Sequence, residues 1–367
     1  MKPLKIGELT AKLPIIQGGM GVGVSLSSLA GAVAAEGGIG VISTAQIGFY
    51  RSDFEKNPLA ANLEAIREQI YLAREKARGG IIGVNIMVAT KNYAEYVAEA
   101  VRSGVDLIIS GAGLPKNLPE YVRGSAAKIA PIVSSAKAAR VICRLWDKHH
   151  HCVPDMVVVE GPLAGGHLGF SEKELAPFAD NDAAAIYEMM ENYDGEIERI
   201  IQVCREYAEK YEKEIPVVVA GGIDTPQKVK HYLALGASGI QAATPFVATK
   251  ECDAHENFKK AYVAATNEDI VILKSPVGMP GRGIKNTFLE NVAQGKRGEI
   301  HCKQCLENCN PALIPYCITD ALIRAVKGNV ENGLVFCGAN VDKIKKISTV
   351  REVIQNLLGE ENIQECL

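Results

Sequence analysis

Val217-Val218-Val219-Ala220-Gly221-Gly222-Ile223-Asp224 is an unbroken apolar run that ends on two glycines and a carboxylate. Pro226 to Leu235 follows with helix-like spacing, and Gly239-Ile240-Gln241-Ala242-Ala243-Thr244-Pro245-Phe246 then repeats the pattern. A short continuous apolar run followed by an amphipathic stretch marks a strand buried on both faces and joined to the next by a covering helix. Working outward, six earlier runs have the same character: Pro14 to Gly18, Gly38 to Ser43, Ile81 to Met87, Asp106 to Ser110, Ile129 to Ser134 and Asp155 to Glu160. Helix-like segments separate them at Leu26 to Glu36, Leu59 to Arg78, Tyr93 to Ser103, Ala136 to Lys148 and Ala183 to Lys213, with Ala254 to Ala265 closing the series. The fourth connection, Lys116 to Gly124, is short and punctuated by proline. Eight such units over about 240 residues predict an α/β fold, a TIM (β/α)8 barrel, in preference to a doubly wound sheet.

The composition is that of a packed, water-facing protein. The chain has 367 residues, with 40 basic and 43 acidic side chains and a formal charge of −3. That balance excludes a nucleic-acid groove or an anionic membrane as main partner, since both call for concentrated basic charge. No apolar run is long enough to cross a bilayer, and Met1 to Glu8 lacks the apolar core of a signal peptide. The expectation is a cytoplasmic protein acting on a small molecule. Nothing in the composition ranks a homodimer against a monomer. Glycine is the outlier, 35 residues or roughly 9.5 % against a usual ~7 %.

Position explains part of that excess. In this fold the chemistry sits where the strands end. Those ends read Gly18-Gly19-Met20-Gly21, Ser43-Thr44, Asn85, Ser110-Gly111-Ala112-Gly113, Ser134-Ser135, Glu160-Gly161, Gly221-Gly222 and Thr244. Glycine there lets backbone N–H groups approach a ligand closely. The ends of the seventh and eighth strands commonly form a phosphate site in this fold. After the sixth run, Glu160-Gly161-Pro162-Leu163-Ala164-Gly165-Gly166-His167-Leu168-Gly169 sets a histidine behind two glycines, where a neutral imidazole can accept or relay a proton. Arg282, in the glycine- and proline-rich loop Ser275 to Arg282, is either a clamp for an anion or a surface residue.

Taken in order, Pro14-Ile15-Ile16-Gln17-Gly18-Gly19-Met20-Gly21, Gly83-Val84-Asn85, Ser110-Gly111-Ala112-Gly113, Ala164 to Gly169, Ala220-Gly221-Gly222-Ile223 and Gln241 to Phe246 resemble the nitronate monooxygenase (2-nitropropane dioxygenase) family. The flavin-dependent enoyl-acyl-carrier-protein reductases are similar. The resemblance spans about residues 4 to 295 and implies an FMN-dependent oxidoreductase. By matching positions, Gly19, Met20 and Gly21 would lie against the isoalloxazine, with Asn85 and Glu160 contacting the flavin. Gly165, Gly222, Gln241, Ala242, Ala243 and Thr244 would hold the ribityl phosphate, and Gly166 and Gly221 complete the cofactor-binding set. His167 would be the catalytic base or orienting group. The family's reaction consumes an alkyl nitronate and O2 and releases a carbonyl compound and nitrite. The reductase alternative has NAD(P)H reduce FMN, which passes hydride to an enoyl thioester.

The chain departs from the family pattern at Glu160, where many relatives carry glutamine; in Gly161 to Ala164; and at Ala243, where a glycine is usual. It also carries Cys302, Cys305, Cys309 and Cys317 in a C-x2-C-x3-C-x7-C spacing. Four thiolates so close together suit zinc or an iron–sulfur cluster, with plain reduced thiols as the alternative. The division expected is a barrel over 1–268 and a helical, cysteine-containing extension over 269–367. Two other readings stay open. One is a flavin-free barrel similar to inosine-monophosphate dehydrogenases, which needs a catalytic cysteine between Gly161 and Asp182, where none occurs. The other is a flavin-binding redox sensor without turnover.

Overall fold

The computed structural model describes residues 1–180, 182–297, 300 and 302–359; Cys366 and the rest of 360–367 lie outside them. Eight strands follow the eight apolar runs: β1 Ile15–Gln17, β2 Ile39–Ser43, β3 Ile81–Met87, β4 Leu107–Gly111, β5 Lys128–Val133, β6 Val157–Glu160, β7 Val217–Ala220 and β8 Gly239–Ala242. All pair in parallel and in chain order, and Ile240 opposite Ile15 closes the ring. The fold is the expected TIM barrel.

The continuous apolar character of the runs has a direct cause. Ile16, Val41, Leu107, Ile109, Ala130, Val158 and Val218 pack together inside the barrel. Their neighbours Ile15, Ile42, Ile108, Ile129, Val157 and Val219 point the other way, against the helices. Side chains alternate along a strand, so a strand buried on both faces is apolar at every position. Leu4–Ile6 and Leu9–Ala11 form an antiparallel hairpin whose Leu4, Ile6 and Ala11 join the inner cluster and plug the end where the strands begin.

Helix starts are fixed by side chains that satisfy the first free N–H groups. Asn57 accepts from Ala60 N, with Pro58 at the first helical position; Ser135 accepts from Ala138 N, and Thr225 from Lys228 N. The helix Ser27–Ala35 is capped from afar instead. The carboxylate of Asp253 accepts from the backbone N–H groups of Leu26, Ser28 and Leu29 at 2.8–3.1 Å, where the helix dipole favours a negative charge.

Three features differ from the sequence reading. The helix Glu256–Ala264 does not cover the barrel; its Phe258 and Tyr262 pack with Ile284, Ala325, Val326 and Val335. The eighth covering position is filled by Val350–Leu358, whose Val353, Ile354 and Leu357 join the outer core between the helices Ser27–Ala35 and Pro226–Ala234. Residues 248–349 therefore lie between β8 and that helix. Secondly, the expected loop Ser275 to Arg282 is only partly a loop. Pro280–Ile284 is a strand, paired antiparallel to Ile270–Lys274 on one side and to the two-residue strand Gly166–His167 on the other. Proline at the first position of a strand costs no ladder hydrogen bond. Gly281 and Gly283, poor strand formers by type, are there because a side chain would meet Phe336 at 3.0 Å and the Val335 carbonyl at 2.8 Å. Thirdly, Glu172–Ala179 is a helix with a Ser171/Glu174 capping box. Among the described residues no helix is long and apolar enough to cross a membrane.

Candidate active site

A cavity of about 380 Å³ opens where the strands end. It is lined by Gly19, Met20 and Gly21 after β1, Asn85 of β3, Glu160 of β6 with Gly165, Gly166 and His167 after it, Gly221 and Gly222 after β7, and Gln241, Ala242, Ala243 and Thr244 at β8. The structure thus brings together the catalytic candidate and all thirteen cofactor-binding candidates, although 225 positions separate Gly19 from Thr244.

Two of the glycines are required by space. A Cβ on Gly19 would stand 2.5 Å from that of Asn85. On Gly222, whose φ is +70°, it would stand 2.6 Å from Leu163, so both the backbone and the packing demand glycine. Ala243 has φ −123°, an ordinary value, so its methyl imposes no backbone strain where the family pattern has glycine.

Residues that motif reading missed complete this end of the cavity. Gly338 N donates to Thr244 Oγ1 at 3.1 Å, and Asn340 Nδ2 donates to the Gly222 carbonyl at 2.8 Å. Lys228 Nζ donates to the same carbonyl at 2.7 Å. Gly338, Ala339 and Asn340 lie about a hundred positions from β8 and carry no pattern in sequence; only the fold lays them beside Gly222 and Thr244.

His167 sits on the short strand that Pro280–Ile284 holds in register. Its Nε2 is 2.7 Å from Ser275 Oγ, and its ring meets Phe336 edge to face at 5.0 Å. Withdrawal from water lowers its pKa to about 4, so the imidazole is neutral near pH 7. Glu160 moves the opposite way. Burial raises its carboxyl to about 7, against the opposing pull of the Gly169 N–H and the Arg282 charge. Tyr193 supports the strand end beneath it, donating to the Glu160 carbonyl at 2.7 Å.

Arg282 is neither at the surface nor on the cavity wall. It is 1 % exposed, donates to the Ala164 carbonyl and lies 4.8 Å over the Phe178 ring. It therefore braces the turn that leads into Gly165, Gly166 and His167.

The cysteines correct the zinc expectation. Among the described residues, no group of three or more His, Cys, Asp or Glu side chains is placed to hold a metal ion. Cys302, Cys305, Cys309 and Cys317 do not converge on a point; they line a separate cavity that shares the Cys305 wall with the first.

The sequence model of the nitronate monooxygenase family matches residues 2–360. A probable nitronate monooxygenase of Staphylococcus saprophyticus is 26 % identical over 313 residues, covering 78 % of this chain and 79 % of that protein. One from Staphylococcus aureus is 25 % identical over 312 residues with the same coverage. Among solved structures, FabK from Thermotoga maritima aligns with a TM-score of 0.70 at 25 % identity, over 97 % of this chain and 94 % of its own. Nitroalkane oxidase from Streptomyces ansochromogenes aligns with a TM-score of 0.69 at 18 % identity, over 96 % of each, which is a likeness of fold. A family match over nearly the whole chain, on a barrel of the same fold, makes this a flavin-dependent oxidoreductase that belongs to the nitronate monooxygenase family.

Proposed function

We propose that the cavity binds FMN and that the protein oxidises alkyl nitronates with O2, releasing a carbonyl compound and nitrite. The observation that carries this reading is an uncharged His167, pinned by Ser275, on the wall of a glycine-lined cavity. A nitronate is already an anion. It needs orientation more than a strong base, and a neutral imidazole can hydrogen-bond it without the cost of a buried charge.

The residues suit a flavin. Gln241 lines the cavity, and its Oε1 is buried without a hydrogen-bond partner among the described residues, an acceptor suited to a ligand N–H or O–H. Gly19 and Gly21 leave room for a flat ring to approach the backbone. The Gly221-Gly222 turn, Thr244 and the Gly338–Asn340 segment surround the region suited to a phosphate. FMN bound there would supply the electron acceptor. Ser275 fixes the imidazole through Nε2, and Phe336 and Met279 add apolar surface to the cavity wall.

A second reading is favoured by the carboxyl of Glu160. A group that titrates near 7 can hand over a proton at neutral pH, as reduction of an enoyl thioester by NAD(P)H requires. The likeness to FabK, an enoyl-acyl-carrier-protein reductase, points the same way. Anaerobic mixing separates the two. Nitronate oxidation predicts that an alkyl nitronate alone bleaches the flavin absorbance, and that His167→Ala retains the cofactor but loses bleaching. Bleaching by NAD(P)H alone, reversed by crotonyl thioester, would establish the reductase instead.

A further inference from the structure

The cysteine segment is not absorbed by either reading. Its four thiols line one cavity of about 170 Å³, closed on its apolar side by Pro311, Ile314 and Ile318. The loop is held in place, not draped over the surface. Thr90 and Leu306 form a β-bridge, Lys91 N donates to the Cys305 carbonyl at 3.2 Å, and Glu307 N donates to the Ala89 carbonyl at 3.1 Å.

Each of three sulfurs also faces a hydrogen-bond donor. Gln304 N donates to Cys302 Sγ at 3.4 Å. Cys317 occupies the N-cap position of the helix Ile318–Val326, beside the N–H groups of Thr319 and Asp320. Cys305 pairs with the Thr319 hydroxyl. Lys91 and Lys303 also line the cavity, Lys303 paired with Glu55 and Asp320.

We propose that Cys302, Cys305, Cys309 and Cys317 ligate an iron–sulfur cluster. A single tetrahedral zinc needs all four sulfurs ~2.3 Å from one point, and these side chains do not converge so. A cluster instead sits within a ring of four thiolates and holds them apart by its own bulk. Here the four thiols line one cavity, and the Gln304 N–H is directed at the Cys302 sulfur. Because Cys305, Leu306 and Ile318 also line the large cavity, the cluster would sit across one layer of side chains from it. This inference is independent of which reaction the large cavity performs.

The test is iron and acid-labile sulfide analysis of full-length protein purified anaerobically and then incubated with ferrous iron and sulfide. Electron paramagnetic resonance after dithionite reduction completes it. The expected result is iron and sulfide in equal amounts, at least two of each per chain, with a cluster signal. In Cys309→Ala the iron should fall at least five-fold, while Cys143→Ala, a buried cysteine outside the site, should retain it. Wild-type protein that carries less than half an iron per chain after reconstitution, with all four thiols open to a thiol reagent, would overturn the proposal. So would one zinc per chain resistant to iron exchange.

Discussion

His167 Nε2 and Ser275 Oγ stand 2.7 Å apart, although 108 positions separate them in the chain. The contact joins the loop after β6 to the insertion that follows β8, and the antiparallel pairing of Gly281 with His167 fixes it. The insertion thus orients a side chain on the cavity wall.

Ser275→Ala should leave the FMN content unchanged and lower kcat on nitronate by on the order of ten-fold, as expected for a lost orienting contact. His167→Ala should cost more, ~10²-fold or above. Steady-state nitrite release normalised to bound flavin checks both. Equal activity of Ser275→Ala and wild type would remove the contact from the mechanism.

Gly222→Ala places a methyl 2.6 Å from Leu163 at a φ of +70°. The strain of a left-handed residue costs roughly 1–2 kcal/mol, and displacement of the loop adds to it. FMN affinity, followed by flavin fluorescence quenching on titration of apoprotein, should fall at least ten-fold.

Glu160 gives a pH signature. Its folded-state pKa is raised to about 7, so between ordinary carboxylate pH and 7 the folded chain keeps a proton that the unfolded chain has released. The stability from this group is full below pH 4.5 and is lost as pH rises through 7. Glu160→Gln removes that dependence. Thermal unfolding should show the variant more stable than wild type at pH 8, by on the order of 1–2 kcal/mol. That gain should shrink as the pH falls and vanish near pH 4; a gain independent of pH would contradict the assignment.

Arg282→Met exchanges a buried guanidinium for an apolar chain and leaves the Ala164 carbonyl without its donor. Loss of a buried hydrogen bond to a charged group costs about 2–3 kcal/mol. The midpoint of denaturant unfolding should fall, and kcat should drop through displacement of His167. A variant with a lowered midpoint but unchanged kcat would show that Arg282 supports the fold alone.

The barrel and the cavity's glycines were legible because both follow local rules. A strand buried on both faces is apolar throughout, as Val217 to Ala220 shows, and a strand end that approaches a ligand is glycine-rich, as Gly221-Gly222 shows. What escaped was long-range. Val350–Leu358 was readable as an amphipathic helix, but nothing local says that it covers the eighth position in place of Glu256–Ala264. Ser275 and Asn340 are single polar residues in irregular segments, and only the strand Pro280–Ile284 and the turn near Gly338 bring them to the cavity. Arg282 was misplaced because its strand is built from glycine and proline, residue types that signal a turn. The cysteine spacing pointed to zinc or a cluster alike, because spacing does not say how far apart the four sulfurs stand.

The central claim is that the cavity oxidises nitronates. It is tested most directly by following O2 uptake and nitrite release together when flavin-loaded protein meets an alkyl nitronate such as propyl-2-nitronate, without NAD(P)H. The account predicts nitrite formation coupled to O2 consumption, abolished in His167→Ala at full FMN occupancy. No nitrite from any alkyl nitronate, together with NAD(P)H-dependent reduction of an enoyl thioester by the same preparation, would contradict it.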